Sequence, residues 1–239
     1  MLGSLPYRFK DWLWRCLVRV QNRILFERAK SIRVARQQRA LESTVDYIEK
    51  HLPLVQSVGS RHELLTQAFR RADISGDRLI LEFGVWMGVS LNLIARLAGK
   101  TVFGFDSFEG LPEAWGGDLW KKGDFAVAHL PKVRSNVILV KGWFDSTLPE
   151  FLEKHKGQIG FLHIDSDLYS SCKTVLDVLA PRLKPGAVIV FDDYFNFPQW
   201  EEGEAKAFGE FLSRTGLACE FIGYNRNGEQ LAVLLKEKS

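Results

Sequence analysis

From residue 78 onward the sequence alternates β-rich runs with helical runs, and this alternation restricts the fold more than any other feature of the chain. The β-rich runs are RLILEFG, TVFGFD, VILVKG, IGFLHID, GAVIVFDD, CEFIGY and LAVLLK. Helical runs separate them, apart from one long loop and the final pair. Strands that alternate with helices form parallel sheets covered on both faces. Because the last two runs follow each other directly, they predict an antiparallel edge pair. We therefore predict an α/β fold with a seven-stranded, doubly wound, mostly parallel sheet.

The N-terminal part of the chain is predicted to be helical and basic. Residues 1–40 carry 10 Lys or Arg against 2 Asp or Glu, so this head has a net charge of +8 and the remainder −5. Periodic apolar residues predict helices over 13–25, 40–51 and 62–71. We predict a helical extension over 1–72, basic up to about residue 40, ahead of an α/β domain over 73–239. At 239 residues, the chain is long enough for one sizeable core.

The first predicted helix is amphipathic. Its apolar residues recur at three- and four-residue spacing, and its arginines lie on another face; the two sets are Leu13, Cys16, Leu17, Val20 and Ile24, and Arg15, Arg19 and Arg23. Such a helix packs on its own domain or on a sister subunit, or it lies on an acidic membrane surface with the help of Trp12 and Trp14. Both interpretations stay open. We predict a homo-oligomer and no nucleic-acid partner.

The cysteines and the hydropathy of the chain indicate the cellular compartment in which the protein works. Cys16, Cys172 and Cys219 are odd in number and lack a Cys-x-x-Cys or Cys/His grouping, so neither a disulfide framework nor a zinc site is expected. No stretch approaches eighteen uninterrupted apolar residues. We predict a cytoplasmic protein that is at most peripheral to a membrane.

The turn after the first strand of the domain has the sequence LEFGVWMGVS, and ligands of open α/β sheets bind beyond such strand ends. Gly84 and Gly88 let the chain turn tightly and leave bare backbone for a ligand. The dinucleotide fingerprint Gly-x-Gly-x-x-Gly is missing, so a pyrophosphate is not expected. Glu82 would repel phosphate and attract a cation such as an amino group. Ser90 is a candidate helix cap or ligand contact.

Two further strand ends carry candidate cofactor-binding residues. Asp106, followed by Ser107, ends the second strand, where an acid commonly accepts both hydroxyls of a ribose; a turn cap is the alternative. Asp145 lies after the third strand, and Trp143 or Phe144 would flank an adenine, with core packing as the equal alternative. Together these strand ends favour an adenosine that carries a positive group.

Four acids follow two apolar runs, in FLHIDSDLYSS and VIVFDDYFNF. In extended backbone residues i and i+2 point to one side, so Asp165 and Asp167 face the same way. Asp192 and Asp193 end a strand that we expect to be the neighbour. Carboxylates this close do not all ionise cheaply without a cation, and oxygen ligands suit Mg²⁺ or Ca²⁺. We expect His163 to be a buried hydrogen-bonding residue.

The outermost of these acids is the candidate catalytic base. Asp167 is placed to take a proton from a substrate hydroxyl that the ion has acidified. The alternative for the whole cluster is a set of loop caps that face water.

Five ordered segments between Leu81 and Phe211 resemble the macrocin O-methyltransferase-like (TylF-type) family of class I S-adenosylmethionine-dependent methyltransferases. They are LEFGVWMGVS, GFDSFEGLPE, KGWFDSTLP, HIDSDLYSS and FDDYFNFPQW. The resemblance implies a class I methyltransferase fold and a divalent-ion-dependent transfer of methyl from S-adenosylmethionine to a hydroxyl. It also implies an acceptor with neighbouring sugar hydroxyls, such as a glycosylated natural product.

The resemblance also assigns expected roles to residues. The family's metal ligands fall on Asp165, Asp192 and Asp193. Its proposed base falls on Asp167, and its ribose contact on Asp106. The turn from Glu82 to Gly88 corresponds to the segment that binds the methionine end of the cofactor. Residues 111–135 take the position of the substrate lid.

Two alternatives to a sugar methyltransferase remain. A catechol-type O-methyltransferase would use a similar ion with an aromatic diol. A catalytically silent adenosine-binding module would use the basic helix to dock on a partner or a membrane. A nicotinamide oxidoreductase is disfavoured because the third glycine of the fingerprint is missing.

Overall fold

The computed structural model of the chain describes residues 7–116 and 119–238. The helices are α1 (Tyr7–Ala29), α2 (Ile32–His51), α3 (Arg61–Arg71), α4 (Val89–Ala98), α5 (Phe144–Lys154), α6 (Tyr169–Leu179) and α7 (Glu204–Thr215). The strands are β1 (Ser57–Val58), β2 (Leu79–Phe83), β3 (Val102–Asp106), β4 (Val137–Lys141), β5 (Ile159–Ile164), β6 (Val188–Phe191), β7 (Ala218–Asn225) and β8 (Leu231–Lys236). Short 3₁₀ helices cover Ala180–Arg182 and Trp200–Glu202.

All eight strands form one sheet in the order β1-β7-β8-β6-β5-β2-β3-β4. Strands β2 to β6 are parallel to one another, whereas β8 is antiparallel to both β6 and β7. The central strands β2, β5 and β6 are buried along their whole length, as expected for strands covered on both faces. The predicted α/β fold with an antiparallel edge pair is confirmed.

The sheet has one strand more than the seven predicted. The two residues of β1 pair in parallel with Tyr224 and Asn225 at the outer edge. A strand of two residues has no periodicity that a sequence pattern can detect. The added strand comes from the segment between α2 and α3, so this part of the predicted extension joins the sheet.

Helices cover both faces of the sheet. On one face, Leu64 and Leu65 of α3 and Ile94 of α4 pack in a core with Ile80 and Val188 of the sheet. On the other face, α5, α6 and α7 bury a core with members such as Phe151, Leu176 and Phe208. The domain boundary at residue 72 stays a prediction.

Helix α2 is tied to the loop that follows β6. Thr44 Oγ1 accepts a hydrogen bond from the backbone N–H of Asn196 at 2.9 Å, and Trp200 Nε1 donates to Ser43 Oγ at 2.9 Å. Gln37 Nε2 donates to the Asn196 carbonyl at 2.7 Å. These contacts bring the basic N-terminal segment next to the loop that carries two of the four predicted site acids.

Helix α1 is longer than predicted and keeps apolar side chains on its surface. Trp14 is 66% exposed, and Leu17 and Val20 are also exposed. The side chain of Ile24, which belongs to the predicted apolar face, lies outside the described residues. None of the helices in the described ranges has the length and apolar character needed to cross a bilayer.

Candidate active site

The backbone after β2 turns directly against the backbone after β5. Gly84 has φ +88°, and a Cβ built on it would lie 1.6 Å from the Asp165 carbonyl oxygen. The Asp165 N–H in turn donates to the Phe83 carbonyl at 2.8 Å. Only glycine fits at position 84, because any side chain would overlap the neighbouring strand end. The turn therefore brings the first glycine next to the first acid of the predicted cluster.

Asp106 holds this turn in shape. Its Oδ2 accepts hydrogen bonds from the N–H groups of Val85 and Trp86, both at 2.8 Å. Its Oδ1 accepts from the Phe108 N–H at 2.7 Å. In the structure the Asp106 carboxylate therefore caps the turn, which is the alternative to a ribose contact that the sequence left open. Asp106 also lines the central cavity, so a ribose contact stays a prediction.

Glu82 is fully buried and pairs with a protein cation. His163 Nδ1 lies 3.0 Å from Glu82 Oε2, and His163 Nε2 lies 3.4 Å from Asp192 Oδ1. Burial alone would lower the pKa of His163, but hydrogen bonds to Asp192 and Glu82 raise it to about 9. The expected buried, hydrogen-bonding role of His163 is confirmed. His163 therefore lies beside Glu82 in the structure, and a contact of Glu82 with a cofactor cation stays a prediction.

The other two residues predicted in this turn have structural contacts. Ser90 Oγ donates to Glu82 Oε1 at 3.1 Å from inside α4, and Gly88 rather than Ser90 is the N-cap of that helix. Gly88 has φ +74°, and its N–H donates to the Val85 carbonyl at 2.7 Å. The prediction that Ser90 caps the helix is wrong, because the left-handed turn at Gly88 starts the helix two residues earlier. Contacts of these residues with a cofactor stay predictions.

The four predicted acids meet at the ends of β5 and β6, which pair in parallel. Carboxylate oxygens of Asp165, Asp167 and Asp193 lie within 4.8 Å of one another, and so do ligand atoms of His163, Asp165 and Asp192. Asp193 Oδ2 is buried and has no hydrogen-bond partner among the residues that the structure describes. A buried carboxylate oxygen without a partner is costly, so this atom needs a proton or a cation.

Asp167 occupies a strained turn. Its φ is +60°, and the Leu168 N–H donates to the Ser166 carbonyl across it at 2.6 Å. A hydrogen bond from residue i+2 to residue i around a positive φ is the pattern of a γ-turn, which is rare for residues other than glycine. The turn points the Asp167 carboxylate into the cavity beside Asp165. Such strain is concentrated at functional sites.

Sequence reasoning missed a cation that lies inside the cluster. Arg61, the first residue of α3, contacts Asp165 Oδ2 through Nη2 and lies 2.6 Å from Asp192 Oδ1 through Nε. Burial lowers the pKa of this guanidinium, but the charges of Asp165 and Asp192 raise it more, so the group stays protonated. The only sequence signal for such a residue was the need of four clustered acids for a positive charge.

Sequence reasoning also missed two more acids. Glu204, the first residue of α7, is fully buried; its Oε2 accepts from the Asp193 N–H at 3.2 Å and its Oε1 from the Ser166 N–H at 3.4 Å. Glu229 lies on the cavity wall. Burial raises the pKa of Glu204 well above its usual range and that of Glu229 to about 7. No local pattern in the sequence connects either residue with the strand ends.

Three acids of the cluster, Asp165, Asp167 and Asp193, resist ionisation. Burial, together with the negative charges of neighbouring carboxylates, raises the pKa of Asp165 to about 7 and that of Asp167 to about 8. The same causes raise the pKa of Asp193 well above its usual range. Arg61 opposes the shift at Asp165 and Asp167. The cluster therefore holds protons at neutral pH unless a further cation offsets its charge.

A cavity of about 1110 Å³ opens over the strand ends. Its wall combines residues from the predicted cofactor, metal and lid segments with residues of α2; they include Gly84, Asp106, Ser107, Trp143, Asp145, Asp165, Asp167, Asp192, Asp193, Arg33 and Arg36. Trp143 and Asp145 are exposed at the start of α5 and border this space. Most of the predicted site residues therefore face one shared cavity.

Aromatic side chains of the predicted lid line one side of the cavity. Trp115 packs edge-on against Phe197, with ring centroids 5.7 Å apart, and Trp120 lies 4.8 Å from Phe125. Trp115 and Trp120 pair across a short antiparallel bridge. Residues 117 and 118 of this segment lie outside the described residues. A role as a substrate lid stays a prediction.

Comparison with known proteins gives a family match for the central part of the chain. Residues 81–194 match a family model described as a methyltransferase domain. The match covers 114 of the 239 residues, slightly less than half of the chain. The resemblance to class I S-adenosylmethionine-dependent methyltransferases is confirmed. The matched residues of the methyltransferase domain include both strand ends with their four acids, whereas Arg61 and Glu204 lie outside the match.

Curated relatives of the matched region are named as O-methyltransferases, and the name of one of them contains a rhamnosyl group. One is the 8-demethyl-8-(2,3-dimethoxy-alpha-L-rhamnosyl)-tetracenomycin-C 4'-O-methyltransferase of Streptomyces olivaceus, 34% identical over 51% of this chain and 54% of that protein. Another is the mycinamicin III 3''-O-methyltransferase of Micromonospora griseorubida, 28% identical over 66% of this chain and 68% of the relative. The chain spans about half the length of the first of these relatives.

Solved structures show the same fold. The calicheamicin methyltransferase CalS11 superposes with a TM-score of 0.58 at 23% identity, covering 86% of this chain and 93% of that chain. The O-methyltransferase NovP superposes with a TM-score of 0.54 at 23% identity, covering 74% and 80%. Both superpositions have TM-scores above 0.5 and cover most of this chain, although the sequence identity is low. The class I methyltransferase fold is therefore confirmed for this chain.

Proposed function

We propose that this protein is an S-adenosylmethionine-dependent, divalent-ion-dependent O-methyltransferase that acts on a hydroxyl of a sugar or of a glycosylated small molecule. The observation that carries the proposal is the meeting of two strand ends. The glycine turn after β2 contacts Asp165, and Asp165 lies with Asp167 and Asp193 in one group of carboxylates. A methyl donor and a hydroxyl acceptor would thereby share one cavity.

The cofactor side of the cavity offers the groups that an adenosine needs. Asp106 and Ser107 border it at the end of β3, and Trp143 and Asp145 border it at the start of α5. Gly84, whose backbone packs against Asp165, also lines this cavity. S-adenosylmethionine supplies an activated methyl group when it is bound. The residues of this chain would fix the orientation of that group toward the acids.

The residues present fit a divalent ion. Asp165, Asp192 and Asp193 would hold it, and carboxylate oxygens are the ligands that Mg²⁺ and Ca²⁺ prefer. The buried Asp193 Oδ2 lacks a hydrogen-bond partner within the described part of the chain, and a cation bound beside it would satisfy this atom. A bound ion would lower the pKa of an acceptor hydroxyl.

Asp167 would act as the base. It lines the cavity beside the predicted ligands, on a strained turn that fixes its direction. A positioned base contributes roughly 10²- to 10⁴-fold to such a reaction. With its pKa raised to about 8 by burial and by Asp165, the carboxylate accepts a proton readily once it is ionised.

The acceptor side favours a ring with an apolar face. Trp115, Trp120 and Phe125 line this part of the cavity, and flat aromatic rings stack on sugar-like or aromatic faces. The rhamnosyl group in the name of the relative from Streptomyces olivaceus supports a sugar hydroxyl as acceptor. An aromatic diol, as in a catechol-type enzyme, is the second candidate, because the same three rings would stack on it.

A binding titration followed by an activity assay tests the proposal. S-adenosylhomocysteine, and not NAD, is expected to raise the Tm of the full chain. Radiolabelled methyl transfer from S-adenosylmethionine is then measured with L-rhamnosides and with catechol, each with MgCl₂ and with a chelator. Label on a rhamnoside that disappears with chelator supports the proposal. Label on catechol alone selects the second candidate, and cofactor binding without transfer to either acceptor leaves a silent adenosine-binding module.

The basic N-terminal helix is proposed to associate with a second copy of the chain. The exposed apolar residues Trp14, Leu17 and Val20 of α1 support an association surface. The acidic balance of the remainder of the chain complements the basic head. Contact with a peripheral membrane surface is the competing proposal, and a cytoplasmic location stays a prediction.

A further inference from the structure

Arg61 lies at the position where the proposed ion needs its ligands. Its Nη2 contacts Asp165 Oδ2, and its Nε lies 2.6 Å from Asp192 Oδ1. Asp165 belongs to both groups of residues that are close enough to share an ion, and Asp192 belongs to one of them. The guanidinium therefore uses two carboxylates that a divalent ion would also use.

The contact between Arg61 and the carboxylates is not an optimal fork. The Arg61 Nε–H is buried and makes no aligned hydrogen bond to any described residue, although Asp192 Oδ1 is close. The best guanidinium–carboxylate pairs form two parallel hydrogen bonds to one carboxylate. Here the group is instead shared between two carboxylates on different strands. Its Nη2 donates one hydrogen bond to Asp165 Oδ2, whereas Asp192 attracts it by charge alone, so a more highly charged cation can compete for both carboxylates.

The Arg61 side chain also has room to move away from the two carboxylates. Its side chain is 34% exposed and lines the cavity, so the guanidinium can turn into solvent without unpacking the core. The residue begins α3, and the neighbouring Ser60 caps that helix by accepting a hydrogen bond from the Glu63 N–H at 3.2 Å. The backbone at Arg61 is therefore fixed while the side chain is free to change rotamer.

We propose that Arg61 is a tethered cation that neutralises Asp165 and Asp192 until a divalent ion displaces it, so that ion binding and release of Arg61 are coupled. The inference rests on the ion proposed above. It adds that the N-terminal extension, through α3, sets the affinity of the methyltransferase domain for that ion.

The coupling has a measurable size. When a competing group occupies a site, the apparent dissociation constant equals the intrinsic one divided by the fraction of sites that are free. If Arg61 occupies the carboxylates about nine-tenths of the time, removal of its charge tightens ion binding by about tenfold. A supporting role, in which Arg61 orients the ligands and stays in place, predicts weaker binding after its removal.

Isothermal titration of the full chain with MgCl₂ and with MnCl₂, without acceptor, tests the coupling. Arg61→Met removes the charge and keeps the apolar stem. Arg61→Lys keeps the charge but offers one ammonium in place of a group shared by two carboxylates. Arg71→Met is the matched control, because Arg71 lies at the other end of α3 and pairs with the exposed Glu220 at 3.1 Å. Its ion affinity is expected to equal that of the unmodified chain.

The expected result is binding about tenfold or more tighter for Arg61→Met, with Arg61→Lys shifted in the same direction. Equal or weaker binding by Arg61→Met overturns the coupling and leaves the proposed ion-dependent enzyme standing. Binding by Arg61→Lys as tight as that of Arg61→Met also overturns it, because a positive charge at this position would then not compete with the ion. Absence of binding by every variant overturns both the coupling and the ion, while methyl transfer in chelator would still support a methyltransferase.

A measurement on the unmodified chain covers the case in which Arg61→Met does not fold. The Nε–H signal of Arg61 in a ¹⁵N NMR spectrum is assigned by its absence from the spectrum of Arg61→Lys. Addition of MgCl₂ is expected to shift this signal and to speed its exchange with water, because the guanidinium enters solvent. A signal that keeps its position and its slow exchange at saturating MgCl₂ overturns the coupling.

Discussion

A Cβ on Gly84 would lie 1.6 Å from the carbonyl oxygen of Asp165, so two strand ends of the sheet touch through bare backbone. This contact places the turn after β2 against the first acid of the cluster. It makes the geometry of the proposed cofactor and ion sites interdependent, because neither strand end can move without the other.

Substitution of Gly84 by alanine is therefore expected to destabilise the fold strongly. The added methyl group overlaps a backbone atom that cannot move without breaking the Asp165 N–H bond to Phe83. We expect a loss of more than about 4 kcal/mol in the free energy of unfolding by urea, or no folded protein.

The control for this substitution is Gly76→Ala. Gly76 also has positive φ, but a Cβ at this position would meet nothing within 4 Å. The conformational cost alone is about 1–2 kcal/mol. Equal losses for the two variants would show that the backbone contact at Gly84 does not matter.

Asp167 is expected to make the ion-free protein less stable as pH rises. Burial and Asp165 raise its pKa from 3.8 to about 8 in the folded chain. Between these values the folded state keeps a proton that the unfolded state releases, so stability falls with rising pH and levels off above about 8. Asp167→Asn removes this proton and is expected to reduce the fall in stability between about pH 5 and pH 8.

Urea unfolding in chelator at several pH values measures this effect. Each pKa unit of difference between the two states corresponds to about 1.4 kcal/mol. Asparagine tolerates the positive φ of the turn, so the variant tests charge and not backbone strain. Glu153→Gln, at an exposed site on α5, is the control. If both variants keep the original slope, Asp167 is not the group that titrates.

Magnesium is expected to stabilise the protein more at pH 8 than at pH 6. Carboxylate ligands must lose their protons to bind an ion, and burial raises the pKa of Asp165 to about 7. An ion at about 100 times its dissociation constant adds about 2.7 kcal/mol. Thermal unfolding with MgCl₂, against NaCl of equal ionic strength, measures the difference. Asp193→Asn should abolish it, and a shift of equal size at both pH values would contradict the proposed ligands.

Two charges on α1 are expected to separate the copies of the chain without affecting its fold. Leu17 and Val20 are 56% and 57% exposed, so Leu17→Glu with Val20→Glu should change the free energy of unfolding by no more than about 0.5 kcal/mol. We expect sedimentation velocity to show a lower mass for this double variant. Leu54→Glu, at a 98% exposed loop position outside α1, is the control.

The competing membrane contact gives a different result. In that case the unmodified chain is already monomeric and floats with vesicles that contain anionic phospholipid. The double variant then loses vesicle binding while its mass stays the same.

Much of the architecture follows from local patterns. Alternation of β-rich and helical runs is a property of neighbouring residues, and it predicted the parallel sheet and its antiparallel edge pair. The acids at residues 165, 167, 192 and 193 were predicted to meet because parallel strands end at the same edge of a sheet. By contrast, β1 is too short to leave a pattern, and Gly88 rather than Ser90 caps α4 because the turn there is left-handed.

The sequence by itself determined that four carboxylates gather at two strand ends and that they need a positive charge. Only the tertiary structure decided which protein group supplies that positive charge. Arg61 is 104 positions from Asp165, and Glu204 is 38 positions from Ser166, so their contacts depend on how α3 and α7 pack on the sheet. The periodicity of apolar residues predicts which face of a helix or strand is buried, but it does not predict which distant side chain that face contacts.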